Sequence, residues 1–298
     1  MNASGVLLID KPEGPSSAQV VRRVKRILGA KRVGHLGTLD PFASGLLPLG
    51  INEGTKVASV FLNGIKTYSG AIALGIETDT QDLTGRVTQV RPIPPFGEPE
   101  LRALEGQFTG AVRQVPPMFS ALKKEGVRLY ELARQGREIP RAARTVHISN
   151  LRLRKSGADA IEFDVTCSRG TYVRTLAADL GNALGCGAHL KRLRRIACDH
   201  LSLEQAISPD EVERLKTENR VPLIGLESAL SHLPLVVWDS RKVLRLRRGQ
   251  QQMLSDLPAP RGPERLMRVQ DESDRLVALV EWNEEFGKGH WQLLRVFQ

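Results

Sequence analysis

Gly34-His35-Leu36-Gly37-Thr38-Leu39-Asp40-Pro41 is the stretch on which the reading of this chain turns. Glycines at 34, 37, 45 and 50 and prolines at 41 and 48 punctuate residues 31–50, a pattern that predicts irregular chain there. A long loop inside a compact domain is either functional or a misread element. Asp40 precedes a proline, which steers its backbone away from the α region, and the glycines upstream let the main chain approach a ligand closely. Taken alone, an aspartate in such a setting is more often a turn-capping residue. Its standing depends on what the rest of the chain brings to it.

Upstream, Val6-Leu7-Leu8-Ile9 reads as a buried strand and Lys11-Pro12-Glu13-Gly14-Pro15 as a turn. A helix then opens at Ser16, with Gln19 in the capping-box position, and ends at Gly29. Val20, Val21, Val24, Ile27 and Leu28 form its apolar face. Downstream, a short helix is expected over 55–62 and a strand carrying Tyr68 over 67–74. Pro92-Ile93-Pro94-Pro95 makes a stiff connection to a helix over 98–107. Residues 119–144 gather Lys123, Lys124, Arg128, Arg134, Arg137, Arg141 and Arg144 around Tyr130, which predicts a basic, protruding helical arm. The alternation over 161–167 predicts a half-buried strand, followed by helices over 171–184 and from Ser208-Pro209-Asp210-Glu211. Beyond residue 230 short β-like runs flank a proline-rich loop at 257–263. The expected organisation is therefore an α/β (α+β) body over 1–229 and a small β-rich module over 230–298.

Lys and Arg total 43 against 33 Asp and Glu, a formal charge of +10, with a pI near 9.8. That surplus favours a polyanionic partner. Its arginine-rich clusters at 22–26, 191–195 and 241–248 favour nucleic acid over a membrane surface. The longest apolar runs are far too short to span a bilayer, and Met1-Asn2-Ala3-Ser4-Gly5 has neither a cationic start nor an apolar signal core. The expected location is cytoplasmic. Cys167, Cys186 and Cys198 form no CxxC pair and no metal grouping with the six histidines, so they read as packed free thiols. Rossmann, Walker, HExxH, GxSxG and zinc-deaminase signatures are all missing.

What remains is one carboxylate in a glycine-rich loop and the segment Cys167-Ser168-Arg169-Gly170-Thr171-Tyr172-Val173-Arg174. Together with residues 6–17, the Tyr68 strand, Leu184-Gly185-Cys186-Gly187-Ala188-His189-Leu190 and Leu193-Arg194-Arg195, these resemble the ordered motifs of bacterial tRNA pseudouridine-55 synthases of the TruB type. The resemblance covers the first two-thirds of the chain. Leu36 stands where the family's loop often carries Thr.

The resemblance implies a pseudouridine-synthase fold, with a mixed, largely antiparallel sheet flanked by helices and a C-terminal PUA-like module. It further implies isomerisation of a T-loop uridine of tRNA by a monomer that needs no cofactor, metal or obligate protein partner. Asp40 would be the catalytic carboxylate, with Arg174 keeping it charged and aimed. Tyr68 would stack on the displaced uracil, His35 would hold the displaced nucleotide or a phosphate, and Tyr172 and Leu193 would line the uracil pocket. Lys11 would support the loop. Glycosidic cleavage ordinarily takes two carboxylates; Asp79 and Asp82, on an expected loop near the Tyr68 strand, offer no evident second one. The rival readings are a guide-RNA-dependent pseudouridine synthase and a non-catalytic RNA-folding factor.

Overall fold

A computed structural model describes residues 2–120, 122–124, 126–260, 262, 264–285 and 288–297. Strand β1 (Gly5–Lys11) is buried except at Asp10. Helix α1 (Ser17–Leu28) follows, its N-terminus closed by a Ser16/Gln19 capping box and its C-terminus by Gly29 in the left-handed region at φ 59°.

Strands β2 (Val33–His35) and β3 (Ser44–Ile51) come next. Here the expectation of irregular chain over 31–50 is corrected, since within it residues 33–35 and 44–50 are strand and only 31–32 and 36–43 are not. Strand β3 pairs antiparallel with β1 from Gly5↔Ile51 to Lys11↔Gly45. Its glycines and proline serve close packing within the sheet and do not break it. Gly45 holds φ at 100°, and a Cβ there would run into the Arg195 carbonyl. Pro48 lacks an N–H where the short β2 ladder ends, and its carbonyl still accepts from the Leu36 N–H at 2.9 Å. Leu36 itself is fully buried, which suits an aliphatic side chain at that position.

The chain continues through α2 (Ala58–Asn63), β4 (Lys66–Leu74), the hairpin β5 (Ile76–Thr78) and β6 (Val87–Val90), α3 (Glu98–Gln107) and β7 (Gly110–Gln114). The basic arm is less helical than its composition suggests. A two-residue hairpin, β8 (Lys123–Lys124) with β9 (Val127–Arg128), precedes a six-residue helix α4 (Leu129–Arg134). Residues 135–143 are irregular. Ala121, Glu125 and the side chains of Lys123, Lys124 and Arg134 lie outside the described residues, as does Pro263 of the proline-rich loop. Then follow β10 (Arg144–Lys155), β11 (Ala160–Cys167), α5 (Val173–Ala183), β12 (Ala188–Cys198), β13 (Leu201–Ser202), α6 (Pro209–Thr217) and α7 (Leu226–Ala229).

The main sheet runs β1-β3-β12-β4-β11-β10-β7, with β2 added at β3 and β13 at β12. Among the described residues only the β3–β12 strand pair of this sheet is parallel, so the sheet is mixed and largely antiparallel. Alternation along β1 sends Leu7 and Ile9 into one apolar cluster with α1 and α5 and Val6 and Leu8 into a second with Phe61 and Leu36. Both faces are covered, which is why β1 reads as a continuous apolar run.

Beyond α7, β14 (Leu235–Trp238), α8 (Ser240–Arg247), β15 (Leu266–Asp271), β16 (Leu276–Glu285) and β17 (Lys288–Val296) form a second, four-stranded sheet in the order β14-β15-β16-β17. It has an apolar cluster of its own around Trp238, Val269 and Trp291. Leu276, Leu279 and Phe297 join the second cluster of the main body. Lys56 Nζ also donates to the Val296 carbonyl at 2.8 Å.

Candidate active site

The Asp40 loop is held by side chains in place of a ladder. Ser17 Oγ donates to the Leu39 carbonyl at 2.8 Å and accepts from the Leu39 N–H at 2.9 Å. Fully buried Lys11 directs Nζ to the carbonyls of Pro12 at 2.8 Å, Pro41 at 3.2 Å and Ala43 at 2.6 Å. This is the supporting part expected of Lys11. Loss of hydration lowers its pKa to about 8, against the opposing pull of the Glu13 and Asp40 carboxylates. Arg195, 1% exposed, donates Nε to the Leu46 carbonyl at 2.7 Å, Nη1 to Thr38 at 3.3 Å and Nη2 to Gly37 at 3.0 Å. Side chains thereby satisfy the Gly37, Thr38, Leu39, Pro41 and Ala43 carbonyls, as buried backbone without a ladder requires.

Asp40 stands on this frame with 38% of its side chain exposed, so solvent and substrate can reach it. Arg174, on the first turn of α5, sets Nε 3.0 Å from Asp40 Oδ2. Its Nη1 reaches the Thr80 carbonyl at 3.1 Å and Asp82 Oδ2 at 3.3 Å, and its Nη2 reaches the Phe119 carbonyl at 2.8 Å. An arginine so buried and so occupied is no phosphate ligand. Burial raises the Asp40 pKa above the ordinary carboxylate range; Arg174 pulls it down, Asp82 pushes it up and Lys11 pulls it down.

Asp82 is the residue that sequence reasoning passed over. It is 4% exposed and shares the Arg174 guanidinium with Asp40. Its other oxygen accepts from Thr80 Oγ1 at 2.8 Å, the Thr84 N–H at 2.9 Å and Thr84 Oγ1 at 2.6 Å. The turn carrying it docks on β12 through the Leu83 N–H to Leu190 carbonyl bond at 3.0 Å. The one local signal was an aspartate flanked by threonines, which announces a turn and not its burial.

Tyr68 lies on β4 directly opposite Arg195 of β12 and packs against the main apolar cluster. Burial pushes its hydroxyl up to about 12 despite the nearby Arg195 charge, so it stays a neutral phenol at working pH. His35, at the end of β2, has a buried Nδ1 with no hydrogen-bond partner among the described residues. Burial, reinforced by Arg195, lowers its pKa. Tyr172 precedes α5, its N–H bonded to Gln114 Oε1 at 3.0 Å. Its hydroxyl is pushed up by burial and feels the charges of both Arg174 and Asp40. Leu193 is buried in the cluster that Tyr68 packs against.

The arginine-rich clusters divide. Arg23 pairs with Asp210, Arg192 with Glu162 at 3.4 Å and Arg194 with Asp10 at 2.7 Å, while Arg195 is buried. Within 191–195, then, Arg195 is a buried structural residue, whereas Arg192 and Arg194 pair at the surface. Among the described residues no three His, Cys, Asp or Glu side chains converge on a metal position, and no helix is long and apolar enough to cross a membrane. A cavity of about 850 Å³ lined by Gln251, Gln252, Trp282, His290 and Trp291 belongs to the second sheet and not to the Asp40 loop.

Residues 25–173 match the model of the TruB family pseudouridylate synthase N-terminal domain. Residues 174–231 match that of the tRNA pseudouridylate synthase B C-terminal domain. The second match falls within the main body, so the β14–β17 sheet lies beyond both. The chain is 44% identical over 283 residues to a tRNA pseudouridine synthase B of Burkholderia mallei (strain NCTC 10247), covering 94% of this chain and 93% of that one. It is 42% identical over 269 residues to the protein of the same name from Aromatoleum aromaticum, covering 90% and 85%. Among solved structures it is similar to a Cbf5-Nop10-Gar1 complex (26% identity, TM-score 0.73, covering 99% of this chain and 85% of that one). It is also similar to the archaeal box H/ACA sRNP Nop10-Cbf5 complex (25% identity, TM-score 0.75, covering 99% and 86%).

Proposed function

The chain belongs to the TruB family of pseudouridylate synthases, and from that premise we infer how it works as an isomerase that makes pseudouridine in tRNA, with Asp40 as the reacting carboxylate. The observation that carries the assignment is Asp40 itself, exposed enough to meet a substrate and joined through one buried guanidinium to a second carboxylate. The reaction breaks the N1–C1′ bond of a uridine, turns the base and joins C5 to C1′; the proton lost from C5 is matched by one taken up at N1. Atoms balance without an oxidant or co-reactant. Because the base stays in the pocket, one carboxylate can serve both halves. Asp82, enclosed by Thr80, Thr84 and Arg174, supports Asp40 and is not a leaving-group acid.

A uridine in a folded loop must be unstacked before its sugar bond is reached. The Tyr68 ring then offers a stacking face and the His35 ring a polar contact, while Tyr172 and Leu193 border the base. We assign the substrate uridine to the T-arm at position 55, the enzyme to a cytoplasmic monomer, and the catalytic unit to residues 1–229, with 230–298 as a PUA-like RNA-binding module. Supporting the last point, α8 presents Arg241, Lys242, Arg245 and Arg247 on a sheet that has its own apolar cluster. The rival in which a guide RNA selects the uridine draws on structural neighbours at 25–26% identity. The tRNA enzymes at 42–44% favour direct recognition.

The test is purified protein with a naked tRNA transcript in EDTA, followed by pseudouridine mapping. Wild type should modify one T-arm uridine unaided, and Asp40→Asn should bind tRNA without modifying it. Dependence on added RNA or protein, or full activity in Asp40→Asn, would refute the assignment.

A further inference from the structure

We propose that Arg195 is a positioning residue for the reaction: its guanidinium clamps both stems of the Asp40 loop and so sets where the carboxylate stands. The proposal rests on Asp40 as the reacting group and names what holds it. Arg195 heads the largest side chains sealed inside the protein. Its neighbours Arg192 and Arg194 pair with Glu162 and Asp10, whereas Arg195 spends its donors on backbone carbonyls. Gly37 and Thr38 lie on one side of residue 40 and Leu46 on the other. Burying a guanidinium sacrifices strong hydration, and an aliphatic side chain could fill the same volume at lower cost. What an aliphatic chain could not do is tie three acceptors from two separate segments, the task for which arginine's planar fork is suited.

The local backbone is arranged around this side chain. Arg195 stands opposite Gly45 of β3 in parallel register and opposite Tyr68 of β4 in antiparallel register, next to a shift in the β12–β4 ladder between Arg195 and Ala197. Gly45 leaves the space on the other side, since a Cβ there would run into the Arg195 main chain. Lys11 holds the far corner of the loop through Pro41 and Ala43, so Arg195 holds the stems that Lys11 does not. The same charge acts on Tyr68 and on His35, two of the groups assigned to the substrate.

The experiment compares wild type, Arg195→Met, Arg195→Lys and Asp40→Asn as full chains, measuring single-turnover pseudouridine formation in a tRNA transcript, tRNA affinity and the NMR titration of His35. Arg195→Met should lower the rate about a hundredfold, the scale of a misplacement near 1 Å. Its tRNA affinity should stay within about threefold, because no phosphate reaches a sealed guanidinium. Arg195→Lys keeps the charge but not the fork; its rate should fall between the two and His35 should titrate as in wild type. In Arg195→Met, His35 should titrate at higher pH. A folded Arg195→Met that turns over within about threefold of wild type overturns the proposal, as does a loss confined to affinity. If the methionine variant does not fold, a folded Arg195→Lys with wild-type rate overturns it equally. Activity in Asp40→Asn would instead overturn the reading beneath it, so the two failures are told apart.

Discussion

Replacing Arg174 by methionine removes the cation that joins two carboxylates. The guanidinium holds Asp40 Oδ2 at 3.0 Å and Asp82 Oδ2 at 3.3 Å, and donates as well to the carbonyls of Thr80 and Phe119. The Arg174 and Asp82 side chains are 9% and 5% exposed, so this half is a buried pair, and removing one partner of such a pair costs about 3–5 kcal/mol. The Asp40 half is partly solvated, and screening limits its share to about 1 kcal/mol or less. Asp82 keeps its bonds from Thr80 and Thr84 but is left with an uncompensated charge. Arg174→Met/Asp82→Asn removes that charge, and roughly 2–3 kcal/mol of the loss should return. Urea unfolding of the four proteins at pH 7 measures the cycle, with constant m-values as the check on two-state behaviour. Activity adds a second readout. Without Arg174, Asp40 loses its strongest pull toward ionisation and keeps the push from Asp82, so the acid limb of the rate must move to higher pH. A coupling energy below about 0.5 kcal/mol, or an acid limb that stays or moves down, would refute the shared-guanidinium account.

Asp40→Asn should abolish activity while leaving Tm at pH 7 unchanged or raised. The native Asp40 pKa lies above its ordinary value, so between the two the folded state binds more protons, stability falls as pH rises, and the ionised group is a net cost at neutrality; a lowered Tm would contradict this. For the wild-type enzyme, the rate should decline on acidification at a pH above 3.8, the ordinary value for Asp, as read from single-turnover profiles. Tyr68→Leu keeps apolar volume but removes the stacking face, and should cost about 1–3 kcal/mol, or roughly 5- to 150-fold in kcat/KM; a loss under about twofold argues against stacking. Binding of tRNA should fall with salt at a log-log slope of roughly −0.7 to −0.9 per neutralised phosphate, and a flat response in filter binding would remove the basic surface from the RNA interface.

Much of the local structure was legible in the residues. The Ser16/Gln19 box and Gly29 marked both ends of α1 because capping is settled within a few residues. Alternation over 161–167 marked β11 because half-burial has period two. The glycines and proline of β3 misled for the opposite reason. Gly45 leaves room for the main chain of Arg195, a neighbour from far along the chain, and Gly50 for the turn at Gly54. The arginines of 191–195 likewise looked alike in sequence, although one is sealed beneath the Asp40 loop and its neighbours pair at the surface.

By itself, the sequence determined the family, the loop that carries Asp40, and Arg174 as its partner, because these rest on residue types in a fixed order. Only the tertiary structure decided that Asp82 shares the same guanidinium and that Arg195 and Lys11 hold the loop from below. Those are interactions across 30 to 158 residues. Burial and the pairing of charges are properties of the packed sheet, and no local pattern encodes which of many arginines and aspartates the fold will close over.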